Sequence, residues 1–245
     1  MPDSEPYYRA DLSLVHHLGF GAHADACAPG IVALLEPVRA RGGLVVEFGC
    51  GSGLLTRHLV DAGLRVLATD ASPAMLDLAR SHAQDAEGHE VVRLPTDALP
   101  AADAIVGVGH PINYLPDTDA IEAALVSMAD ALRTGGVLAF DVCDLEYGVA
   151  RRDVDSTARV DDGWAVLVRF EWPAPDRFVR HVTTFVADDG GRWRRDDEVH
   201  ANVLVDTATI PRLLADHGVH AELRAGFGDD LLPVGMRAVI GTKRG

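Results

Sequence analysis

The sequence predicts an α/β protein: a Rossmann-like, mostly parallel sheet of seven strands with helices on both faces, plus a helical N-terminal prefix and an antiparallel β insertion. Three observations carry this. The apolar run Leu44–Val46 leads into three glycines at alternate positions, Gly49, Gly51 and Gly53, and then into Leu54, Leu55, Leu59 and Val60 at helical spacing. That order reads as buried strand, tight loop and helix, a unit whose backbone can approach a nucleotide closely. A second strand, Leu64 to Thr69, then ends in Asp70. Beyond it, apolar runs keep alternating with amphipathic segments as far as Val142, the pattern of strands joined by crossover helices.

With 245 residues, 48% of them hydrophobic, the chain has core enough for one such domain with an elaboration. The expected organisation is a single domain over 1–245: prefix 1–43, core 44–143, insertion 144–204, closing helix and strand pair 205–245. No apolar run approaches the roughly 20 residues that span a bilayer. The start, Met1-Pro2-Asp3-Ser4-Glu5-Pro6, is acidic and lacks the regions of a signal peptide, so a cytoplasmic location is expected. Cys27, Cys50 and Cys143 show no metal spacing, and reduced thiols are the default there. A net charge of −15 opposes nucleic acid and anionic membranes as partners. The basic clusters Arg151-Arg152 and Arg192 with Arg194-Arg195 adjoin aspartates and read as solvated turns and strand ends.

In chain order, Leu12, Val15, His16 and Leu18 suit a short helix within Tyr7–Phe20, ended by Gly19. A second helix spans Ala22–Arg41, with Pro29 and Pro37 breaking it into pieces. After Asp70, Ser72 is a good N-cap and Pro73 a good first helical residue, with Met75, Leu76, Leu78 and Ala79 facing inward. Glu90–Leu94 is the third strand and Asp103–Gly109 the fourth. Asp119–Arg133 is an amphipathic helix that Gly135-Gly136 ends, and Val137–Val142 the fifth strand. From Asp144 to Val203 the rhythm changes. Trp164, Val166, Val168 and Phe170 alternate, as do Val179, His181, Thr183 and Phe185, between turn-forming stretches. A meander of three antiparallel strands follows, Gly163–Glu171, Arg177–Val186 and Arg192–Val203. Thr207–His217 is the last helix, and His220–Ala225 with Arg237–Thr242 the closing strands.

The dinucleotide fingerprint Gly-x-Gly-x-x-Gly needs its third glycine where Leu54 stands; here that glycine falls one place early, at Gly53. Glu47 precedes the first glycine by two. Glu-x-Gly-x-Gly-x-Gly followed by a strand ending in Asp resembles the class I S-adenosylmethionine-dependent methyltransferases of small-molecule type, over most of the chain and most strongly over 44–141. The resemblance implies that the loop of Glu47, Gly49, Cys50, Gly51 and Gly53 passes under the methionine part of the cofactor. It implies that Asp70, with Ala71 beside it, takes the ribose hydroxyls, and that Thr96, Asp97 and Ala98 meet the adenine. Met75 resembles the family residue near adenine or ribose, though a plain core methionine fits as well. Gly109 borders the same site, and the last strand is implied to run antiparallel.

For the acceptor, His16-His17-Leu18-Gly19-Phe20-Gly21 is similar to the prefix of some bacterial small-molecule members, which favours His17 or Phe20 as pocket-lining. Asn113-Tyr114-Leu115 resembles a common segment after strand four. His110 lies where members carry varied residues beside the transferred methyl. The Asn-Pro-Pro-Tyr of amine methyltransferases acting on nucleic acid and protein is absent. The insertion is placed to cover the acceptor, bringing His181 and His200, and Tyr147 is counted with Phe20, Asn113 and Tyr114 as acceptor-binding. His110, His17, His200 and His181 are the candidate bases, in that order; His181 and His200 read better, taken singly, as strand-packing residues, and His17 can be read as a surface or packed histidine.

The implied reaction is methyl transfer from S-adenosyl-L-methionine, leaving S-adenosyl-L-homocysteine, to oxygen or nitrogen of a small molecule. A histidine base is needed only if a hydroxyl attacks. No metal is required, and histidine and acid spacings match no metal motif. A nicotinamide-dependent oxidoreductase is the alternative on a related sheet; an inactive S-adenosylmethionine-binding protein is another. A monomer or homodimer is expected.

Overall fold

The computed structural model describes residues 7–245, so the acidic start Met1–Pro6 lies outside the described residues. The prefix forms α1 (Ala10–Gly19), α2 (Ala22–Leu34) and α3 (Glu36–Ala40). The core follows as β1 (Leu44–Phe48), α4 (Leu54–Asp61), β2 (Arg65–Asp70), α5 (Pro73–His82), β3 (Gly88–Val91), β4 (Ala102–Gly107), α6 (Thr118–Ala131) and β5 (Leu132–Cys143). The insertion comprises α7 (Leu145–Arg151), β6 (Ser156–Asp161), β7 (Trp164–Ala174), β8 (Arg177–Ala187) and β9 (Trp193–Val203). The chain closes with α8 (Ile210–Asp216), β10 (Val219–Arg224) and β11 (Met236–Lys243).

Seven strands make one sheet in the order β10-β11-β5-β4-β1-β2-β3. Only β11 runs antiparallel to its neighbours, β5 and β10. The central strands are apolar on both faces because helices cover both. Val46 and Phe48 join one cluster with Ile121, Leu125 and Met128 of α6, while Val45 joins the other with Ile31, Leu35, Leu55 and Leu59 of the prefix and α4. The strand order reverses direction at β1, whose neighbours are β2 and β4, and ligands of open α/β sheets sit at the carboxyl ends there. Among the described residues no helix is long and apolar enough to cross a membrane.

The second sheet is antiparallel, β6-β7-β8-β9. It has four strands where the sequence pattern showed three. The extra one, β6, is exposed at every residue, so it carries no apolar alternation to read. On β8 the inward face is Phe178, Val182, Thr184 and Val186, not the Val179, His181, Thr183, Phe185 set. Both sets alternate plausibly, and a one-residue choice turns every side chain over. Leu12 and Val15 of α1 pack on that inward face against Trp164, Val166, Val182 and Val186, so α1 lies between insertion and core.

Other departures are local. Pro29 sits inside α2 without ending it, and Pro37 starts α3. The third strand begins at Gly88, two residues before the expected Glu90. The helix α6 ends at Ala131, before the double glycine. Leu132 is already extended, buried and paired with Ala102, and Gly135-Gly136 fall in an irregular stretch of β5. The short helix α7 has no apolar period long enough to announce it; Asp144 caps it by accepting from the Glu146 amide.

Candidate active site

The loop after β1 holds three glycines with positive φ, and they serve different neighbours. A Cβ at Gly49 would stand 2.4 Å from the Pro111 Cβ, so this glycine lets the loops after β1 and β4 touch. A Cβ at Gly51 would meet only the Met75 Sδ, at 3.9 Å. Gly109, at the tip of β4, has nothing within 4 Å of its missing side chain. The loop therefore leaves free space above Gly51 and beside Gly109, on either side of the β1 tip.

Asp70 organises this end of the sheet. Its Oδ2 accepts from the Gly51 amide at 2.8 Å and its Oδ1 from the Ser72 amide at 2.8 Å. Burial pushes its carboxyl up, and these backbone bonds partly offset that. Ala71 beside it is exposed. Met75 is buried, and Cys50 packs its side chain with Ala68, Leu76 and Ala79, which leaves only its backbone at the loop. In the turn after β3, Asp97 Oδ2 accepts from the Arg93 amide at 2.8 Å, with Thr96 and Ala98 exposed on either side.

Glu47 lies beneath the loop, 1% exposed, accepting from the Thr56 hydroxyl at 2.6 Å. Burial pushes its carboxyl from 4.5 to about 8, the Thr56 bond opposes this, and the Asp70 charge adds to it. A folded value above the unfolded one favours the fold fully below about pH 4.5, and that advantage is lost as pH rises through 8. Glu47→Gln keeps shape and an acceptor for Thr56 but cannot ionise. It should exceed wild type in stability by about 2–4 kcal/mol at pH 8, at 1.36 kcal/mol per pKa unit. The difference should vanish near pH 4, as urea melts will read; equal stability at pH 8 would refute the assignment.

A cluster of rings around one guanidinium lies between the carboxyl edge of the sheet, the prefix and the insertion, and this region is called the chamber. His110 stacks on Tyr114, ring centroids 5.6 Å apart and 4° from parallel, and Tyr147 is 6.4 Å from His110. The Tyr114 hydroxyl is 2.7 Å from that of Tyr8 and accepts from Arg180 Nη2. His200 lies 4.5 Å from Tyr7 and 4.9 Å from Tyr8, ring to ring. Burial first, then the Arg180 charge, push His110 down to about 3 and His16 to about 4, and burial likewise lowers His200.

Tyr8 ties the three parts together. Its carbonyl accepts from the hydroxyls of Ser72 and Ser13, both at 2.7 Å, while its amide and that of Arg9 donate to Glu198, each at 2.8 Å. Arg9 also pairs with Asp196 at 2.6 Å.

The candidate residues therefore divide. His110, Tyr114, Tyr147 and His200 meet in the chamber. Phe20 stands at its rim, 42% exposed, stacked on His16 and under Arg159. His17 points instead to the glycine loop, with Nδ1 3.0 Å from Ser52 Oγ and its ring against His82. His181 is on the outer face of β8, 3.2 Å from Glu171, because its register neighbour Arg180 takes the inward direction. Asn113 is fully buried below the chamber. Its amide donates to the Cys143 and Val203 carbonyls and its oxygen accepts from the Cys143 amide, so it pins β5 to β9.

Pattern reasoning passed over Asp141, His23 and Arg180, and favoured His17 where the structure turns His16 inward. Asp141 is wholly buried in β5; it accepts from the Gly109 amide at 3.0 Å, the His110 amide at 2.5 Å and His23 Nε2 at 2.6 Å. An acid inside Leu138-Ala139-Phe140-Asp141-Val142 was the available signal. Those bonds hold His110 in the left-handed region, at φ 50 and ψ 46. His23, Cys27 and Asp141 bring three possible metal-ligand atoms within 4.8 Å, but the Asp141 oxygens are already taken by three donors.

Comparison with known proteins agrees with this architecture. A methyltransferase-domain family model matches residues 45–136. A Streptomyces venezuelae enzyme, dTDP-3-amino-3,4,6-trideoxy-alpha-D-glucopyranose N,N-dimethyltransferase, is 27% identical over 226 residues, 89% of this chain and 92% of its own. A malonyl-[acyl-carrier protein] O-methyltransferase of Magnetococcus marinus is 33% identical over 167 residues, 58% of this chain, and the match covers 57% of that enzyme. The chain thus spans about half the length of several curated relatives. The solved structure of a sugar N-methyltransferase from Streptoalloteichus shares the fold with TM-score 0.77 at 22% identity, over all of this chain and 98% of that one. A loop and acid built this way, on this strand order, lie within residues 45–136, which match the methyltransferase-domain family and resemble the S-adenosylmethionine-dependent methyltransferases.

Proposed function

We propose that the protein methylates an oxygen or nitrogen of a small molecule held in the chamber beneath the insertion. The observation that carries this is a set of buried ring nitrogens, Nδ1 of His16, His110 and His200, that have no partner among the described residues. Polar atoms left so in a closed space are expected to meet a ligand. The relative aligned over nearly its whole length is an amino-sugar N-methylating enzyme, which favours nitrogen. No feature of the site favours a nicotinamide-dependent oxidoreductase or an inactive binding protein.

The residues fit the cofactor. Gly51 and Gly109 border open space, Asp70 holds its carboxylate against the Gly51 amide beside it, and Asp97 stands in the turn after β3. Asp70 would hold the ribose end and the glycine loop the methionine end. S-adenosylmethionine supplies a methyl group already activated on a sulfonium. The chain's own work is to align the acceptor and exclude water. Burial and the Arg180 charge keep His110 neutral at physiological pH, so its Nδ1 can accept a hydrogen bond from the attacking group; it becomes an effective proton acceptor only if acceptor binding raises that pKa.

His110→Ala should lower the maximal rate roughly 10²–10⁴-fold on a hydroxyl acceptor and much less on a free amine. Offering S-adenosylmethionine with amino sugars and hydroxylated metabolites, and reading methylated product by mass spectrometry, tests the function. Transfer only to protein or nucleic acid would overturn it.

A further inference from the structure

We propose that Arg180 anchors an anionic group of the acceptor, a carboxylate or a phosphate monoester. This rests on the small-molecule reading above and gives that acceptor its chemical class.

Arg180 faces into the chamber from β8, level with Phe170 of β7 and His200 of β9. Its Nη2 donates to the Tyr114 hydroxyl, and its guanidinium carbon lies 5.2 Å from the Tyr114 ring and 5.8 Å from Phe178. Its Nε is shut off from solvent, and among the described residues it has neither a hydrogen-bond partner nor a carboxylate within ion-pair distance. The nearest acid on that face of β9, Glu198, is spent elsewhere: it accepts from the Tyr8 and Arg9 amides and sits 2.9 Å from His200 Nε2.

A guanidinium partly withdrawn from water without a counter-ion is held at a cost. It persists where function requires it, and the partner is then brought in by a ligand. The free Nε beside Nη2 offers a two-point fork that matches a carboxylate or phosphate. The unpartnered Nδ1 atoms of His16, His110 and His200 supply further donors or acceptors around the same space. A second point follows from charge. The chain carries −15, so its surface repels anions, and an anionic acceptor needs a fixed cation inside to be held at all.

The test uses the full chain saturated with S-adenosylhomocysteine and three ring-bearing probes: benzoate, phenyl phosphate and the neutral benzamide. Calorimetry should show benzoate or phenyl phosphate binding at least roughly tenfold tighter than benzamide to wild type. Which anion wins separates a carboxylate from a phosphate acceptor. Arg180→Met should erase the preference and Arg180→Lys reduce it, while both keep wild-type S-adenosylhomocysteine affinity, which shows the fold intact. No anion preference in wild type, or an undiminished one in Arg180→Met, would overturn the assignment. Intact anion preference with methyl transfer only to a macromolecule would sink the small-molecule reading alone.

Discussion

Asp141→Asn is expected to destabilise the protein by about 3–5 kcal/mol, the range for breaking one side of a buried ion pair. Three donors converge on its two oxygens: the Gly109 amide, the His110 amide and His23 Nε2. An asparagine replaces one oxygen with a donor, so at least one buried N–H must face another. Melting temperature should fall on the order of 10 °C for a chain this long. The variant should also lose most activity, because the same bonds fix the left-handed turn that presents the His110 ring. A pH scan isolates the charge. Burial opposes a charged His23, but its bonds to Asp141 and then Cys27 outweigh that and lift it from 6.5 to about 10. The pair's contribution is therefore whole below pH 6.5 and is lost as pH rises through 10. The gap between wild type and Asp141→Asn should narrow across that window. A variant within about 1 kcal/mol of wild type at pH 6 would show that Asp141 carries no such role.

The parts legible in the sequence were those written in local pattern. The glycine loop, Asp70, the Ser72 cap and the alternation of strands and helices are each set by neighbours within a few residues. The parts not legible depend on which of two equivalent neighbours turns inward. On β8 both alternating sets contain apolar residues, so nothing local decides that Arg180 rather than His181 enters the chamber. On α1, His16 and His17 differ by about 100° around the helix axis. Packing of Leu12 and Val15 against the insertion, a contact distant in sequence, settles that His16 is the inner one. Asn113 looked like an acceptor residue because it follows strand four. Only the approach of β9 to β5 shows its amide committed to backbone.

Asp70→Ala should weaken S-adenosylmethionine and S-adenosylhomocysteine by roughly 10²-fold or more, from the loss of charge-assisted hydrogen bonds worth about 1.5–3 kcal/mol each. The same carboxylate also holds the Gly51 and Ser72 amides, so a loss of affinity alone could report a loosened loop. Two glycine variants separate the causes. At Gly51, φ is 54° and an added Cβ meets only the Met75 sulfur at 3.9 Å. The protein tolerates it for about 1–2 kcal/mol of backbone cost, while Gly51→Val fills the space over the loop and should abolish cofactor binding. At Gly49 an added Cβ stands 2.4 Å from the Pro111 Cβ, so Gly49→Val should fail as a fold rather than as a site. Calorimetry beside urea melts therefore gives three signatures: affinity lost with stability nearly kept at Gly51, both impaired at Asp70, and stability lost at Gly49. If Gly51→Val and Asp70→Ala both bound S-adenosylhomocysteine as wild type does, the cofactor would have to lie elsewhere on the sheet edge.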